Sequence, residues 1–204
     1  MSTDLAVFLR LAEARRSVRE FVDAPVAGEA LQRILRAACL SPSAHNRQPW
    51  RFVVMSKAVR RNALIEAMAE RLRRDRLADG DAADEIEAYI ARARRRLMQA
   101  PVVILVCLTM EDMDVYPDDR RGEAEHLMGV QSVAMAGQNL LLAAEAEGLG
   151  ACWMCAPLFA PDVVRQELGL PTTWEPQGFV VLGHPGETPQ AKPRKTVDEV
   201  TRWE

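Results

Sequence analysis

The residues able to do chemistry fall in four short stretches. The first is Arg15-Arg16-Ser17-Val18-Arg19-Glu20-Phe21, with three guanidiniums and a hydroxyl inside five residues. A guanidinium offers a planar fork that matches phosphate oxygens, and a serine hydroxyl adds one donor. The same composition also describes a solvated basic helix end facing the negative pole of its dipole. The second stretch is Ser41-Pro42-Ser43-Ala44-His45-Asn46-Arg47-Gln48-Pro49-Trp50-Arg51-Phe52. Its two prolines fix φ and remove backbone donors, so a loop dense in polar groups is also stiff. Such a loop can hold a ligand by its edges, or it is an ordinary connection that plugs the core with Trp50 and Phe52. The third is Gly148-Leu149-Gly150-Ala151-Cys152-Trp153-Met154-Cys155. The fourth is Lys192-Pro193-Arg194, whose two cations share one face if the chain is extended.

Several chemistries are excluded. Gly148-Leu149-Gly150 is no dinucleotide fingerprint, because Trp153 stands at the third glycine position and helix precedes strand. Cys152 and Cys155 have C-x-x-C spacing, yet a redox dithiol needs its first cysteine opening a helix, and this run reads as an apolar strand. Zinc would need a second ligand pair. The carboxylates of the acidic loop Glu111 to Gly122 lack metal-ligand spacing. No Ser/His/Asp or Cys/His arrangement is present, so no side chain is assigned as a catalytic acid, base or nucleophile, and no metal is expected.

The elements that must position these stretches follow from periodicity. Asp4 to Ala14 reads as an amphipathic helix with Leu5, Phe8, Leu9 and Ala12 on one face, and Arg15 to Phe21 as a short basic turn after it. Val26 to Leu40 is a second helix, apolar at Leu31, Ile34, Leu35, Ala38 and Cys39. Arg51 to Met55 is a strand. Lys57 to Ala100 is charged and helical, split by Asp79-Gly80-Asp81 into two helices. Its interleaved charges describe two solvated faces, and alternatively a lid over a substrate. Pro101 to Met110 is apolar throughout, as in a strand covered on both faces. A long helix, Glu123 to Glu147, carries the small residues Gly129, Ala134, Ala136 and Gly137. Gly148 caps it, followed by a buried strand, Ala151 to Ala156. A short helix covers Ala160 to Leu168, a strand Gly178 to Gly183, and a last short strand Thr196 to Val200. Residues 185–204 form an extended, proline-bearing tail.

A chain of 204 residues fits one domain, 1–204, with a sizeable core. Its net charge of −3 gives no general attraction for nucleic acid or an anionic membrane. The N-terminus does not resemble a secretory signal. Leu127 to Ala146 is interrupted by Gln131, Gln138, Asn139 and Glu145, as in a buried helix and not a membrane span. The four cysteines, Cys39, Cys107, Cys152 and Cys155, all lie in apolar surroundings, which fits reduced thiols and a cytoplasmic protein.

Taken in order, R-R-S-V-R-x-F, S-P-S-A-x-N-x-Q-P-W-x-F, the Gly148 to Trp153 block and Lys192-Pro193-Arg194 resemble the FMN-dependent nitroreductase family from about Ala14 to Lys195. The resemblance implies an α+β fold with a mostly antiparallel central sheet flanked by helices, in an intertwined homodimer with two flavins at the interface. It implies that Arg15, Arg16, Ser17 and Arg19 hold the FMN phosphate and the pyrimidine edge of the ring. Pro42, Ser43, Ala44 and Asn46 would line the flavin bound mainly by the other subunit; His45 has no assigned role. Trp153, Met154 and Cys155 would contact the ring, with Lys192 and Arg194 a further anion-binding pair. The implied activity is hydride transfer from NAD(P)H or another reduced carrier, through flavin N5, to a small nitroarene, quinone or enone-like acceptor. Glu167-Leu168-Gly169-Leu170-Pro171 and Trp174 to Gly183 look like the reductase domain fused to the glutamyl ligase of deazaflavin-cofactor synthesis. No ligase precedes it here, so a biosynthetic intermediate is an alternative acceptor. Two further readings stay open: a flavin-handling protein without reductase turnover, flavin-cleaving relatives included, and a dehydrogenase acting on heterocycle intermediates.

Overall fold

The computed structural model describes residues 2–204. Its centre is β2, Val102–Thr109, all eight residues of which are buried. Alternation along a strand sends successive side chains to opposite faces. Val102, Ile104, Val106 and Leu108 enter one core, and Val103, Leu105 and Cys107 the other. On the first face lie α2, Gly28–Cys39, and α5, Asp119–Ala146. On the second lie α3, Ala58–Ala78, α4, Ala83–Gln99, and α6, Pro161–Leu168. The remaining strands are β1, Trp50–Met55, β3, Gly150–Met154, and β4, Trp174–Gly183. The order is β1-β2-β4-β3, antiparallel throughout. This is the expected α+β layering.

Several boundaries differ from the sequence reading, each for a local reason. Arg15 to Phe21 is not a turn. It leaves α1, Thr3–Ala14, in an extended conformation and runs along the free edge of β3. Ser17 bridges Ala151, the Val18 N–H donates to the Ala151 carbonyl at 3.1 Å, and Phe21 bridges Pro185. Gly150 permits this approach, since a Cβ there would lie 2.7 Å from Val18. α5 begins four residues before Glu123 because the Asp118 carboxylate accepts from the Arg121 N–H at 3.1 Å and caps it. β3 stops at Met154, where Cys155 turns into a 3-10 segment, Ala156–Phe159, opened by Pro157. β4 starts at Trp174, earlier than Gly178. It tolerates Pro176 because the register against β2 shifts beside it, at Val106/Cys107. The expected final strand is instead a helix, α7, Val197–Val200, started by a capping box between Thr196 and Glu199.

α1 buries none of its residues, and Leu5, Phe8 and Leu9 are exposed. α5 is the one helix among the described residues long and apolar enough to cross a membrane. Its Val133, Ala136, Leu140 and Ala144 are packed against the sheet, as befits a core helix, while Leu127 and Met135 on its outer side are exposed.

Trp153 is held between two glycines. A Cβ on Gly137 of α5 would lie 2.6 Å from the indole, and one on Gly178 of β4 nearer still. Gly137→Ala or Gly178→Ala should therefore destabilise the fold by about 1–3 kcal/mol, the usual cost of overpacking. Thermal unfolding checks this; unchanged melting temperatures in both variants would show that the indole has room to move.

Candidate functional site

The structure sorts the candidate residues into three places. The first is the edge of β3. Ser17 and Arg19 project to the same side of their extended segment, because they are two residues apart. The Arg19 N–H donates to Glu187 Oε1 at 2.8 Å, and the Gly186 N–H to the Glu20 carbonyl at 2.9 Å, so the start of the tail pins the basic segment from outside. The guanidiniums of Arg15, Arg16 and Arg19 make no ion pair with a carboxylate among the described residues. Arg16 and Arg19 turn one nitrogen each onto nearby backbone carbonyls and leave further N–H donors free. Cys152 of β3 lies among these cations: burial pushes its thiol up, and Arg19, Arg96 and Arg15 pull against that shift. Arg96 belongs to α4, and its presence here was hidden in the basic run Arg92 to Arg96, which sequence reading treats as a solvated face.

Trp153, Met154 and Cys155 also lie at β3, but not on one surface. Trp153 packs in the α5-side core and Met154 in the α3-side core, as alternation demands. The Trp153 Nε1–H donates to Cys155 Sγ at 3.2 Å.

The second place is the loop before β1, tied to the middle of α5. The Ala44 N–H donates to Ser132 Oγ at 3.2 Å, and Ser132 donates on to the Met128 carbonyl at 2.7 Å. Asn139 donates to Ser41 Oγ at 2.7 Å and to the Ala37 carbonyl at 3.3 Å. Inside the loop, the Gln48 N–H donates to Ser43 Oγ at 3.0 Å. Pairs Arg47–Asp114 and Arg51–Asp112 bind it to the acidic loop, and buried Glu125 accepts from the Asp114 N–H at 3.1 Å. His45, Asn46 and Gln48 all have positive φ, at 49°, 55° and 51°. Left-handed backbone at three non-glycine residues costs on the order of 1–3 kcal/mol each, and persists only when the surroundings over-determine it. Pro42 and Asn46 are exposed, Ser43 and Ala44 half-buried. Ser132, Asn139 and Glu187 are supports that no motif announced.

The third place is the tail, where Lys192 and Arg194 are exposed and, among the described residues, make no ion pair.

The thiols divide as well. Contrary to the sequence reading, Cys39 and Cys155 are exposed, because Cys39 ends α2 and Cys155 follows the strand; Cys107 and Cys152 are buried. Burial pushes the Cys107 thiol up to about 12.

With this geometry in place, the comparisons identify the class. Residues 12–184 match the Nitroreductase family. An NADH dehydrogenase from Thermus thermophilus is 32% identical, with 93% of this chain and 92% of that protein aligned. A 5,6-dimethylbenzimidazole synthase from Rhodospirillum rubrum is also 32% identical, over 85% of this chain and 79% of the synthase. Among solved structures, a nitroreductase in complex with FMN from Desulfovibrio desulfuricans superposes with a TM-score of 0.71 at 27% identity, covering 96% of this chain and 95% of that one. The fold is that of nitroreductases, and the chain belongs to the nitroreductase family of oxidoreductases.

At pH 8 a thiol reagent should label Cys39 and Cys155 quickly in the native protein, and Cys107 and Cys152 only after unfolding. Exchange of Cys152 and Cys155 together for serine should leave turnover intact. Rapid native labelling of Cys152, or loss of turnover in a folded, cofactor-loaded double variant, would return thiol chemistry to the site.

Proposed function

We propose that the protein is an FMN-dependent oxidoreductase that moves hydride from NAD(P)H, or another reduced carrier, to a small organic acceptor such as a nitroarene, quinone or enone. The observation that carries this reading is the cluster of Arg15, Arg16, Ser17 and Arg19 at the β3 edge, free of carboxylate partners, in a chain of this family. The donor set fits FMN: guanidinium forks and a hydroxyl suit one terminal phosphate, and no pyrophosphate loop is present to favour a dinucleotide. Bound FMN would supply the hydride chemistry at its N5. The protein's own residues bind and position. Arg15, Arg16, Ser17 and Arg19 take the phosphate and the pyrimidine edge, and Glu187 holds Arg19 in its extended segment. Lys192 and Arg194 bring two more cations from the tail.

The second half of the site is assigned to a partner subunit. Pro42, Ser43, Ala44 and Asn46 lie beside β1, at the opposite edge of the sheet from Ser17 and Arg19. Four strand spacings separate β1 from the basic segment beyond β3, roughly 19 Å, too far for one chain's two groups to close on one ring. A two-fold homodimer would lay each loop over the other protomer's basic cluster. It would also cover Leu5 and Phe8 of α1, Leu127 and Met135 of α5, and Trp203, which is 80% exposed. A biosynthetic acceptor is the second reading, favoured by the equal identity to the dimethylbenzimidazole synthase.

The protein should purify yellow with FMN and not FAD, oxidise NADPH or NADH in the presence of a nitroarene or quinone, and show twice the 22.7 kDa of one chain by light scattering. Arg15→Ala and Arg19→Ala should each weaken FMN by about 1.5–3 kcal/mol, the size of a charge-assisted hydrogen bond. Lys192→Ala with Arg194→Ala should weaken it further. Unchanged FMN titrations in all of these variants would reject the anchor assignment. FMN uptake with no acceptor-dependent turnover would favour flavin handling or the biosynthetic reading.

A further inference from the structure

α3 and α4 enclose a cavity of about 180 Å³ against the end of β3 and the 3-10 segment that follows it. Leu72, Ile90, Leu97, Met154 and Phe159 make its apolar walls. A dry apolar cavity near this size can house one six-membered ring. Four arginines also line it, and they differ in what neutralises them. Arg71 pairs with Asp75 and Asp162, and Arg94 with Glu66. Arg92 and Arg96 have no carboxylate partner among the described residues; Arg92 instead rests 5.9 Å from the centroid of the Tyr89 ring. The cavity therefore joins apolar walls to two uncompensated cations.

We propose that this cavity binds the acceptor, and that the acceptor is a flat ring bearing one carboxylate beside the nitro or quinone-type carbonyl group that takes the hydride. The ring fills the space between Leu72, Ile90 and Leu97. The carboxylate meets Arg92 and Arg96, where a planar fork gains two parallel hydrogen bonds. Arg71 and Arg94 fix the walls through their carboxylate partners, and Asp75, which also lines the cavity, has its charge met by Arg71. Met154 brings the cavity to the β3 block assigned to the flavin, so the inference rests on the flavin reading above. It adds a substrate class that this reading leaves open.

The test is calorimetric titration of the FMN-loaded protein with benzoate and with its neutral isostere benzamide, neither of which can be reduced. Benzoate should bind about tenfold or more tighter than benzamide, as a charge-assisted pair requires. Arg92→Gln with Arg96→Gln should bring benzoate down to the benzamide level. Ala93→Leu, which fills the cavity from the α4 wall, should abolish binding of both probes while FMN stays bound. Equal affinity of the two probes for the wild type overturns the proposal, as does benzoate binding that survives the arginine exchanges. Loss of FMN together with the probes in Ala93→Leu overturns it too, because the cavity would then be part of the flavin bed. A wild-type protein that takes up no FMN overturns both this proposal and the flavin reading. FMN uptake with indifferent probes overturns this one alone.

Discussion

Burial of β2 on both faces is the constraint from which the remaining architecture follows. A strand with no exposed residue needs a helical layer on each side and a neighbour on each edge. β1 and β4 are those neighbours, α2 and α5 one layer, and α3, α4 and α6 the other. Each fully buried aliphatic side chain contributes on the order of 1.5–3 kcal/mol, so the six buried aliphatic residues of β2 make this strand costly to displace. Every site element is then referred to it. The loop before β1 lies beyond one edge of the sheet, and the basic segment completes the other by pairing with β3. The chain cannot fold its two candidate half-sites together, because the sheet stands between them. The proposed association of two copies would answer that separation, and the exposed apolar residues of α1 and α5 are surface such an association could cover.

Arginine partitioning is the second organising feature. The chain has 26 basic residues, and the structure divides its arginines by partner. Those of α3 and α4 that face acidic residues are structural: Arg73 bridges Glu70 and Glu87, and Arg76 pairs with Asp81. Exposed pairs of this kind are worth little individually, so their role is to fix side chains more than to stabilise the fold. Arg61 is different. It is 7% exposed, donates to the carbonyls of Ala100 and Met98, and its burial lowers its pKa. It caps the end of α4 from the start of α3 and so joins the two helices of the excursion. Arg15, Arg16, Arg19, Arg92 and Arg96 belong to the arginines that have no carboxylate partner among the described residues. Unmatched guanidiniums beside apolar walls are where an anionic ligand gains most.

Much of this was legible in the sequence where one physical signal acted alone. The unbroken apolar run of β2, the Asp79-Gly80-Asp81 break between α3 and α4, and Gly148 as a cap with φ of 73° all fell where periodicity and turn chemistry put them. The misses have a common cause. Arg15 to Phe21 looked like a turn because its partner, the edge of β3, is more than 130 residues away in sequence. Pro176 fits within β4 through a register shift against β2, a long-range feature that no local pattern announces. Thr196 to Val200 holds the helix Val197–Val200 and not the expected strand, because Thr196 and Glu199 form a capping box. Arg96 was hidden because a basic run on a helix says nothing about which of its members faces inward. Local rules placed the elements, while long-range pairing decided which residues meet.

The strained loop shows what that long-range pairing achieves. Three left-handed non-glycine residues within four positions would relax in an isolated peptide. Ser132, Asn139 and the pairs Arg47–Asp114 and Arg51–Asp112 hold the loop from α5 and from the acidic loop at once. Its backbone polar groups are therefore set before any ligand arrives, and a ligand at its edge need not supply the ordering free energy. At the other edge, Glu187 and the β3 pairing do the same for Ser17 and Arg19. Two pre-set half-sites on one rigid sheet bind well only if a second copy brings the complementary half at a fixed distance. In the proposed dimer, two-fold symmetry would repeat the same geometry at both sites, and the stiffness of the loop would serve to share a ligand between chains.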